Sequence, residues 1–135
     1  MRTPLRGDLR YGRWWVIGGW TMVLFVVVTC LLPASDIAPV ARLLPDKVEH
    51  ATAFFGLALW FSGLYPRRSW WKLALWLVLL GALIEVAQGV FTTTRAMEFN
   101  DAVADTVGVL LALAVARAGA ERWCTFAESV LPTRR

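Results

Sequence analysis

The only histidine of the chain stands at the start of an apolar stretch, beside three other titratable side chains. In the segment PDKVEHATAFFGLALW, Asp46, Lys47, Glu49 and His50 precede ten uncharged residues. In a helix, Asp46 and Lys47 would share a face with His50, which follows them by four and three residues. An imidazole beside a carboxylate can exchange a proton or hold a polar ligand. This spacing therefore predicts that the segment contributes to a polar site.

Two later apolar stretches supply the other residues that could take part in chemistry. Glu85 and His50 are the candidates for an acid–base pair, although no residue stands out as a nucleophile. A metal site built from these two and Asp105 is conceivable, but one histidine with scattered acids is a weak pattern. The sequence contains no Gly-rich phosphate loop, GxSxG, HExxH or Cys/His zinc pattern. No metal or cofactor is predicted.

The composition indicates where these residues must lie. The 135-residue chain is 58% hydrophobic and contains eight Trp and seven Phe, more apolar surface than so small a soluble domain could bury. Four apolar stretches are separated by connectors rich in Pro and in polar and charged residues. We predict an all-α membrane protein, a bundle of four transmembrane helices. The four stretches are Trp14–Leu32, Val48–Tyr65, Trp70–Phe91 and Phe99–Ala116.

The first stretch has an alternative interpretation as a secretory signal peptide, because arginines precede it and LLPAS follows it. Its nineteen residues are long for the apolar region of a signal peptide. Leu32-Pro33-Ala34 is also a poor cleavage site. Both features favour a membrane-spanning helix.

The basic residues predict the orientation of the helices. Eleven of the fourteen lie on one side of the predicted bundle, which indicates that both termini are cytoplasmic. Residues 1–13 would form a basic cytoplasmic segment, residues 14–116 the membrane domain, and residues 117–135 a cytoplasmic tail. This asymmetry accounts for the net charge of +4, so no nucleic-acid partner is needed. The eleven are Arg2, Arg6, Arg10, Arg13, Arg67, Arg68, Lys72, Arg117, Arg122, Arg134 and Arg135.

In this orientation, the polar residues inside the spans all fall in the outer leaflet. Glu85 lies six residues below the outer end of its helix, about 9 Å along the axis. A carboxylate at that depth is costly and normally faces the inside of a bundle or a wet cavity. We therefore predict a shared polar pocket in which Glu85 meets a basic or donor group. The pocket residues are Asp46, Lys47, His50, Glu85, Gln88, Arg95, Asp101 and Asp105.

Some of these acids also have a purely structural interpretation. Asp46 and Asp101 stand where helix N-terminal caps are expected, since Asp is preferred there. Glu49 can simply reach water at a helix end. His50 can be satisfied by a single hydrogen bond at the interface.

The tail and the two cysteines complete the prediction. Glu121–Leu131 has apolar residues at helical spacing and could be an interfacial helix on the cytoplasmic leaflet, or an extension of the fourth helix. Cys30 and Cys124 belong to opposite ends of the predicted bundle. A disulfide requires alpha carbons within roughly 7 Å of each other, so no disulfide is expected.

Taken in order along the chain, these motifs resemble the VanZ-like family of small bacterial membrane proteins. The family has Asp-Lys-x-x-His at the start of one helix, Glu-x-x-Gln near the end of another, then Arg, and then an Asp-rich helix start followed by Gly. Here these are DKVEH at 46–50, EVAQ at 85–88, Arg95, and NDAVADTVG at 100–108. The resemblance covers residues 46–112, most of the chain.

The resemblance implies a four-helix inner-membrane protein of the bacterial cell envelope. Some family members lower susceptibility to lipoglycopeptides such as teicoplanin, but the resemblance does not supply a reaction. Many members carry Asn where this chain has Asp105, which adds a carboxylate and conflicts with a role for a neutral amide donor there.

Three hypotheses about function follow. In the first, the pocket binds the head group of a lipid-linked envelope precursor or a lipoglycopeptide, with Lys47 and Arg95 on phosphate or carboxylate. His50, Glu85 and Gln88 would orient that head group, and membrane lipids would be the other partners.

In the second hypothesis, the protein is a membrane enzyme that acts on a polyprenyl-linked or glycan substrate, with a metal held by Asp101 and Asp105. In the third, the polar residues lock the helices together and a partner protein carries the function.

Overall fold

The computed structural model describes residues 5–32, 45–91 and 98–131, and every regular element in these ranges is helical. Four long helices are followed by a short one. Single 3-10 turns, Arg67–Ser69 and Ala120–Arg122, precede the third and the fifth helix. The helices are α1 Gly12–Leu31, α2 Asp46–Leu64, α3 Trp70–Phe91, α4 Phe99–Arg117 and α5 Trp123–Val130.

Three helical segments are long and apolar enough to cross a membrane: α1, Arg67–Phe91 including α3, and α4. Their outward faces carry large apolar side chains, of which Leu24, Phe25 and Leu83 are 64–68% exposed. Such a surface would be unstable in water and matches the acyl chains of a bilayer. The prediction of an all-helical protein with helices suited to a membrane is thus confirmed for the described ranges.

Helix α2 occupies the interior of the bundle, with eight of its nineteen residues buried. Among its large apolar side chains, only Val48 is exposed. Gly108 of α4 lies against the backbone carbonyl of Ala51, so a Cβ at that position would overlap an atom that cannot rotate away. Glycine therefore permits α2 and α4 to approach backbone to backbone.

The first turns of α2 and α4 differ from the prediction in one respect. Helix α2 begins at Asp46, two residues earlier than the apolar stretch suggested, and its N-cap is Pro45. The N-cap of α4 is Glu98. The prediction that Asp46 and Asp101 act as N-caps is therefore wrong. Both lie within the first turn, where their charge still favours the helix dipole.

The tail does not extend α4, so that interpretation is also wrong. Helix α4 ends at Arg117, and Gly119 adopts a φ of 125°, a left-handed conformation that favours glycine and turns the chain. Helix α5 then packs against the end of the bundle, where Cys124 is fully buried. Its Phe126 and Val130 are about 70% exposed, as an interfacial helix would require, and that location remains a prediction.

Candidate functional site

Three helices bring His50, Glu85 and Asp105 into direct contact. The Nδ1 atom of His50 lies 3.0 Å from Oδ1 of Asp105 and 3.9 Å from Oε1 of Glu85. All three residues are at least 96% buried. Glu85 and Asp105, which follow the histidine by 35 and 55 positions, thus meet it at one depth in the bundle. We call the region around them, where α2 and α4 begin and α3 ends, the acidic end.

Two glycines make this contact possible. A Cβ on Gly81 of α3 would lie 2.5 Å from Oδ2 of Asp105, so the aspartate rests directly on the α3 backbone. Gly108 follows Asp105 by three residues on α4. It lies against the backbone of Ala51 and so allows α4 to approach α2 closely. Packed helices ordinarily lie about 8–10 Å apart between their axes, and glycines at a contact allow a closer approach, which helps the short Asp105 side chain to reach His50.

An exposed ion-pair network lies above the buried cluster. Nζ of Lys47 lies 3.1 Å from Oε2 of Glu98 and 3.3 Å from Oδ1 of Asp101. The backbone N–H of Glu98 donates to Oε2 of Glu85 at 3.1 Å, which links the network to the cluster below it. Sequence analysis did not include Glu98 in the pocket. Its place immediately before α4 was the available signal, because that position presents a free backbone N–H.

Three buried carboxylate oxygens at the acidic end receive no hydrogen bond within the described ranges. They are Oε1 of Glu85, Oδ1 of Asp101 and Oδ2 of Asp105. The Asp101 oxygen is at least within ion-pair distance of Lys47, although the geometry does not make a hydrogen bond. Oε1 of Glu85 lies 3.9 Å from Nδ1 of His50, and Oδ2 of Asp105 lies against the backbone at Gly81. Buried acceptors are almost always satisfied in folded proteins, so these two oxygens mark a candidate binding site.

The remaining predicted pocket residues lie less centrally. Nε2 of Gln88 donates to the carbonyl of Cys30, one of the last four carbonyls of α1, which have no partner inside their helix. Gln88 thus ties α1 to α3 and does not point its amide nitrogen at the cluster. Asp46 is exposed and can approach His50 and Asp101, with one ligand atom from each within 4.8 Å of the others. Arg95 lies outside the described residues.

The opposite end of the bundle holds a second polar region, the basic end, centred on Glu128 of α5. This carboxylate is 95% buried and accepts three hydrogen bonds, from the backbone N–H groups of Arg10 and Tyr11 and from Nε1 of Trp15, at 2.8–2.9 Å. The guanidinium of Arg10 donates to the Glu128 carbonyl at 2.6 Å. Glu128 therefore satisfies the start of α1 and anchors α5 to it.

Glu121, a second carboxylate at the basic end, also has hydrogen bonds to both of its oxygens. Arg67 donates to both oxygens of Glu121, at 2.6 and 2.7 Å, and also to the carbonyl of Arg117. The guanidinium of Arg6 donates to the backbone carbonyls of Gly63 and Glu121. Arg6 and Arg67 were predicted only to set the orientation, whereas the structure shows them closing the end of the bundle.

Three indole rings pack beneath this polar layer. Trp15, Trp60 and Trp123 have ring centroids 4.5–5.9 Å apart, in edge-on and tilted arrangements that aromatic rings favour. Their N–H groups donate to Glu128, to the Trp15 carbonyl and to the Leu59 carbonyl. Sequence analysis missed this cluster because Trp residues near the ends of apolar stretches are usually membrane-interface anchors.

The protonation of the basic end follows from these contacts. The Arg67 guanidinium holds the pKa of Glu121 below its ordinary value. Burial acts to raise the pKa of Glu128, but hydrogen bonds from the amides of Tyr11 and Arg10 and from Trp15 outweigh it, and the pKa lies below normal. Burial raises the pKa of the Cys124 thiol to about 12. Cys30 and Cys124 do not form a disulfide with each other.

Two cavities in the bundle lie away from the buried histidine. One, of about 220 Å³, is lined by aromatic residues of α1, α2 and α3 together with Lys72. The other, of about 400 Å³, lies beside α1 and is lined largely by Trp14, Trp15 and Trp60. Their walls are apolar and aromatic, with few polar groups to fix a ligand. Among the described residues, the cluster of His50, Glu85 and Asp105 is therefore the stronger candidate site.

Comparison of the chain with protein-family models, with curated proteins and with solved structures found no match.

Proposed function

We propose that the chain is a multi-pass protein of the bacterial inner membrane, similar to the VanZ-like family, that binds a polar head group at its acidic end. In this proposal α1, α2, α3 and α4 all cross the bilayer, and both termini are cytoplasmic. The head group belongs to a lipid-linked envelope precursor or to a lipoglycopeptide.

The position of α2 supports a fourth span. Helix α2 is nineteen residues long, about 28 Å, which is close to the thickness of a ~30 Å hydrocarbon core. By length and composition alone it does not qualify as a span, because its charged residues cluster in the first turns, but its neighbours cover most of its surface. A helix enclosed by three others can span a membrane without a lipid-facing apolar surface.

The charges at the two ends support the orientation. The basic end gathers Arg6, Arg10, Arg67, Arg117 and Arg122, and the positive-inside rule places such a cluster in the cytoplasm. The acidic end then opens to the outside, where lipid-linked precursors are assembled into the envelope. Reporters fused after Pro66 are expected to be cytoplasmic and reporters fused after Thr93 external.

One observation carries the binding proposal. Glu85 and Asp105 lie beside His50, and each has one buried carboxylate oxygen that receives no hydrogen bond from the described part of the chain. A buried charge in a membrane protein normally faces a partner or a binding site. Lys47, predicted to contact phosphate, is engaged by Glu98 and Asp101 and rims the site. Hydroxyl, amine or metal-bridged phosphate groups of a head group would satisfy the two oxygens.

The test compares Glu85→Gln with Glu121→Gln, an isosteric change in a carboxylate at the basic end. Purified proteins in detergent are mixed with a short-chain polyprenyl-diphosphate sugar lipid, or with phosphatidylglycerol, and analysed by native mass spectrometry. The wild-type protein and Glu121→Gln are expected to retain the polyprenyl lipid in preference to phosphatidylglycerol. Glu85→Gln is expected to lose that preference at least tenfold while remaining folded. Equal retention by the two variants would contradict the proposal.

A second function, a membrane-embedded enzyme, is favoured by one feature. The 3.0 Å contact between His50 and Asp105 fixes the orientation of the imidazole, as a carboxylate does for a catalytic histidine. Glu85, at 3.9 Å, would be the second acid–base group. Turnover of the polyprenyl-diphosphate sugar lipid by the wild-type protein, abolished in His50→Ala and Glu85→Gln, would establish this function over simple binding.

A further inference from the structure

Among residues 45–91 and 98–131, hydrogen bonding does not balance the charge of the buried cluster. Two carboxylates from α3 and α4 face one imidazole from α2, and each carboxylate has a buried oxygen without a donor. Lys47, the described basic side chain at this end, is held by Glu98 and Asp101. Carboxylates buried in a low dielectric either take up a proton or require a cation beside them. The cluster therefore favours a bound cation.

The geometry identifies the kind of cation. His50, Glu85 and Asp105 each offer one ligand atom, and these atoms all lie within 4.8 Å of one another. Two ligands held about 2.1 Å from one metal ion lie about 3 to 4.2 Å apart, and the contacts of His50 at 3.0 and 3.9 Å fall in that range. We propose that these three residues bind a divalent transition-metal ion between α2, α3 and α4.

The ligand set favours Zn²⁺ or Mn²⁺ over Ca²⁺ or Mg²⁺. Calcium and magnesium prefer sites built entirely of oxygen, and Ca²⁺ takes six to eight ligands. One imidazole nitrogen with two carboxylate oxygens is a borderline set that suits zinc and its neighbours. Three protein ligands also leave a position open for a further group, as in zinc sites that bind substrates.

The surroundings hold the ligands in place. The backbone N–H of Glu98 donates to Oε2 of Glu85 and leaves Oε1 for the metal ion. Asp105 rests on the backbone at Gly81, which limits the positions that its carboxylate can take. Such supporting contacts orient metal ligands, and their loss typically costs ten- to a hundredfold in metal affinity. Because each ligand comes from a different helix, the site exists only in the folded bundle.

The open position connects the metal ion to the proposed function, and this step rests on that function. A phosphate oxygen of the head group would occupy the free coordination position. This arrangement explains how a cluster rich in carboxylates accepts an anionic group, since the metal ion supplies the positive charge at the point of contact. Lys47 at the rim would then contribute charge without direct coordination.

The test measures the metal itself. The full-length protein is purified in detergent, treated with a chelator, and titrated with Zn²⁺ or Mn²⁺ under native mass spectrometry. One equivalent is expected to bind to the wild-type protein, and at least a hundredfold more metal is expected to be needed for His50→Ala and Asp105→Asn. X-ray absorption of the zinc form should show one imidazole and oxygen ligands at about 2.0–2.2 Å.

Glu121→Gln is the matched control, because it removes a carboxylate charge at the basic end and should leave metal affinity unchanged. Far-UV circular dichroism and gel filtration verify that each variant is folded. Asp105→Asn preserves the size of the side chain, so it reports on coordination even if His50→Ala misfolds. The inference is overturned if the wild-type protein binds no equivalent of either metal, or if folded Asp105→Asn binds as tightly as the wild type.

The two proposals fail in different ways. Stoichiometric metal binding without retention of the polyprenyl lipid would leave the metal site standing and remove the proposed function. Retention of the lipid by chelator-treated protein at full affinity would keep the function and remove the bridging role of the metal ion. Loss of lipid retention on chelation, restored by Zn²⁺ or Mn²⁺, supports both.

Discussion

The two ends of the bundle both bury carboxylates, yet they treat them in opposite ways. Within the described ranges, Glu128 at the basic end accepts three hydrogen bonds, whereas Glu85 at the acidic end accepts one and its Oε1 has no donor. Asp105 and Glu85 both contact the imidazole of His50, and Oδ2 of Asp105 receives no hydrogen bond from the described residues. At the basic end the donors to the carboxylates are two backbone N–H groups, the Trp15 indole and the Arg67 guanidinium, all of which belong to the fold itself.

This difference distinguishes carboxylates that stabilise the fold from carboxylates that a ligand could complete. Satisfied carboxylates stabilise a fold, because their charge is compensated by fixed donors. Unsatisfied ones reduce stability and are retained at sites where a ligand completes them. The basic end thus closes the bundle around three tryptophans, and the acidic end is where we propose that a ligand binds. Substitutions matched between the two ends should therefore have opposite consequences.

The largest effect is expected from Glu128→Ala compared with Glu85→Gln. Glu128→Ala leaves two backbone N–H groups and the Trp15 indole without their acceptor, which should lower the free energy of unfolding by about 3 kcal/mol. Glu85→Gln in chelator-treated protein removes an uncompensated buried charge and should not lower stability. Unfolding in sodium dodecyl sulfate, followed by tryptophan fluorescence, measures both. Equal destabilisation would remove the distinction between the ends.

A matched pair of glycines should give the next largest effect. A Cβ at Gly63 would overlap the indole of Trp123, which is fixed by its hydrogen bond to Leu59 and by two neighbouring rings. Gly63→Ala should therefore destabilise the protein by about 2 kcal/mol.

Gly81→Ala, at the acidic end, would displace the Asp105 carboxylate instead. It should reduce metal affinity and lipid retention more than stability. Thermal unfolding and zinc titration of both variants separate the two outcomes. Loss of metal affinity in Gly63→Ala as large as in Gly81→Ala would argue against two independent ends.

Part of the pH dependence of stability is expected to come from the Arg67–Glu121 ion pair at the basic end. Arg67 lowers the pKa of Glu121 in the folded protein. The stabilisation that this ion pair provides is therefore complete above the unfolded pKa, near 4.5, and is lost as pH falls through the lower folded pKa. Glu121→Gln should thus flatten the loss of stability below about pH 4.5, measured as midpoint temperature between pH 3 and pH 7. An unchanged slope would show that the Arg67 pair does not contribute.

The smallest effect concerns Cys124. Its pKa is raised to about 12 by burial, so almost none of the thiol is ionised at neutral pH, and the thiolate is the reactive form. In a Cys30→Ser background, maleimide labelling of the folded protein is expected to be negligible until detergent or heat unfolds α5. Rapid labelling at pH 7 would mean that α5 detaches readily from the basic end.

The polar cluster was predictable in part. The spacing of Asp46, Lys47 and His50, and the depth of Glu85, follow from helical periodicity and the cost of charge in a membrane. These rules could not show that Gln88 would bind the end of α1, or that Lys47 would turn to Glu98. Such choices depend on which neighbour each helix presents, and that is decided by packing.

The basic end was predictable only as a charge bias. From the local sequence, Glu128 is only a polar residue on a short amphipathic helix. Its hydrogen bond from the backbone N–H of Arg10 joins residues that are 118 positions apart. The turn at Gly119, which directs α5 back under the bundle, also escaped prediction. A single glycine after a long helix marks a helix end, but it does not specify where the following segment docks.

The sequence by itself determined the apolar helices, the sorting of basic residues to one side and the concentration of polar residues toward the other, because hydropathy and charge are properties that each segment carries alone. Only the tertiary structure decided which carboxylates are satisfied. A hydrogen bond requires its donor within about 3 Å, and that proximity arises only when helices distant in the chain pack together. The same packing distinguishes Glu128, which is enclosed by donors, from Glu85 and Asp105, which are left facing one imidazole.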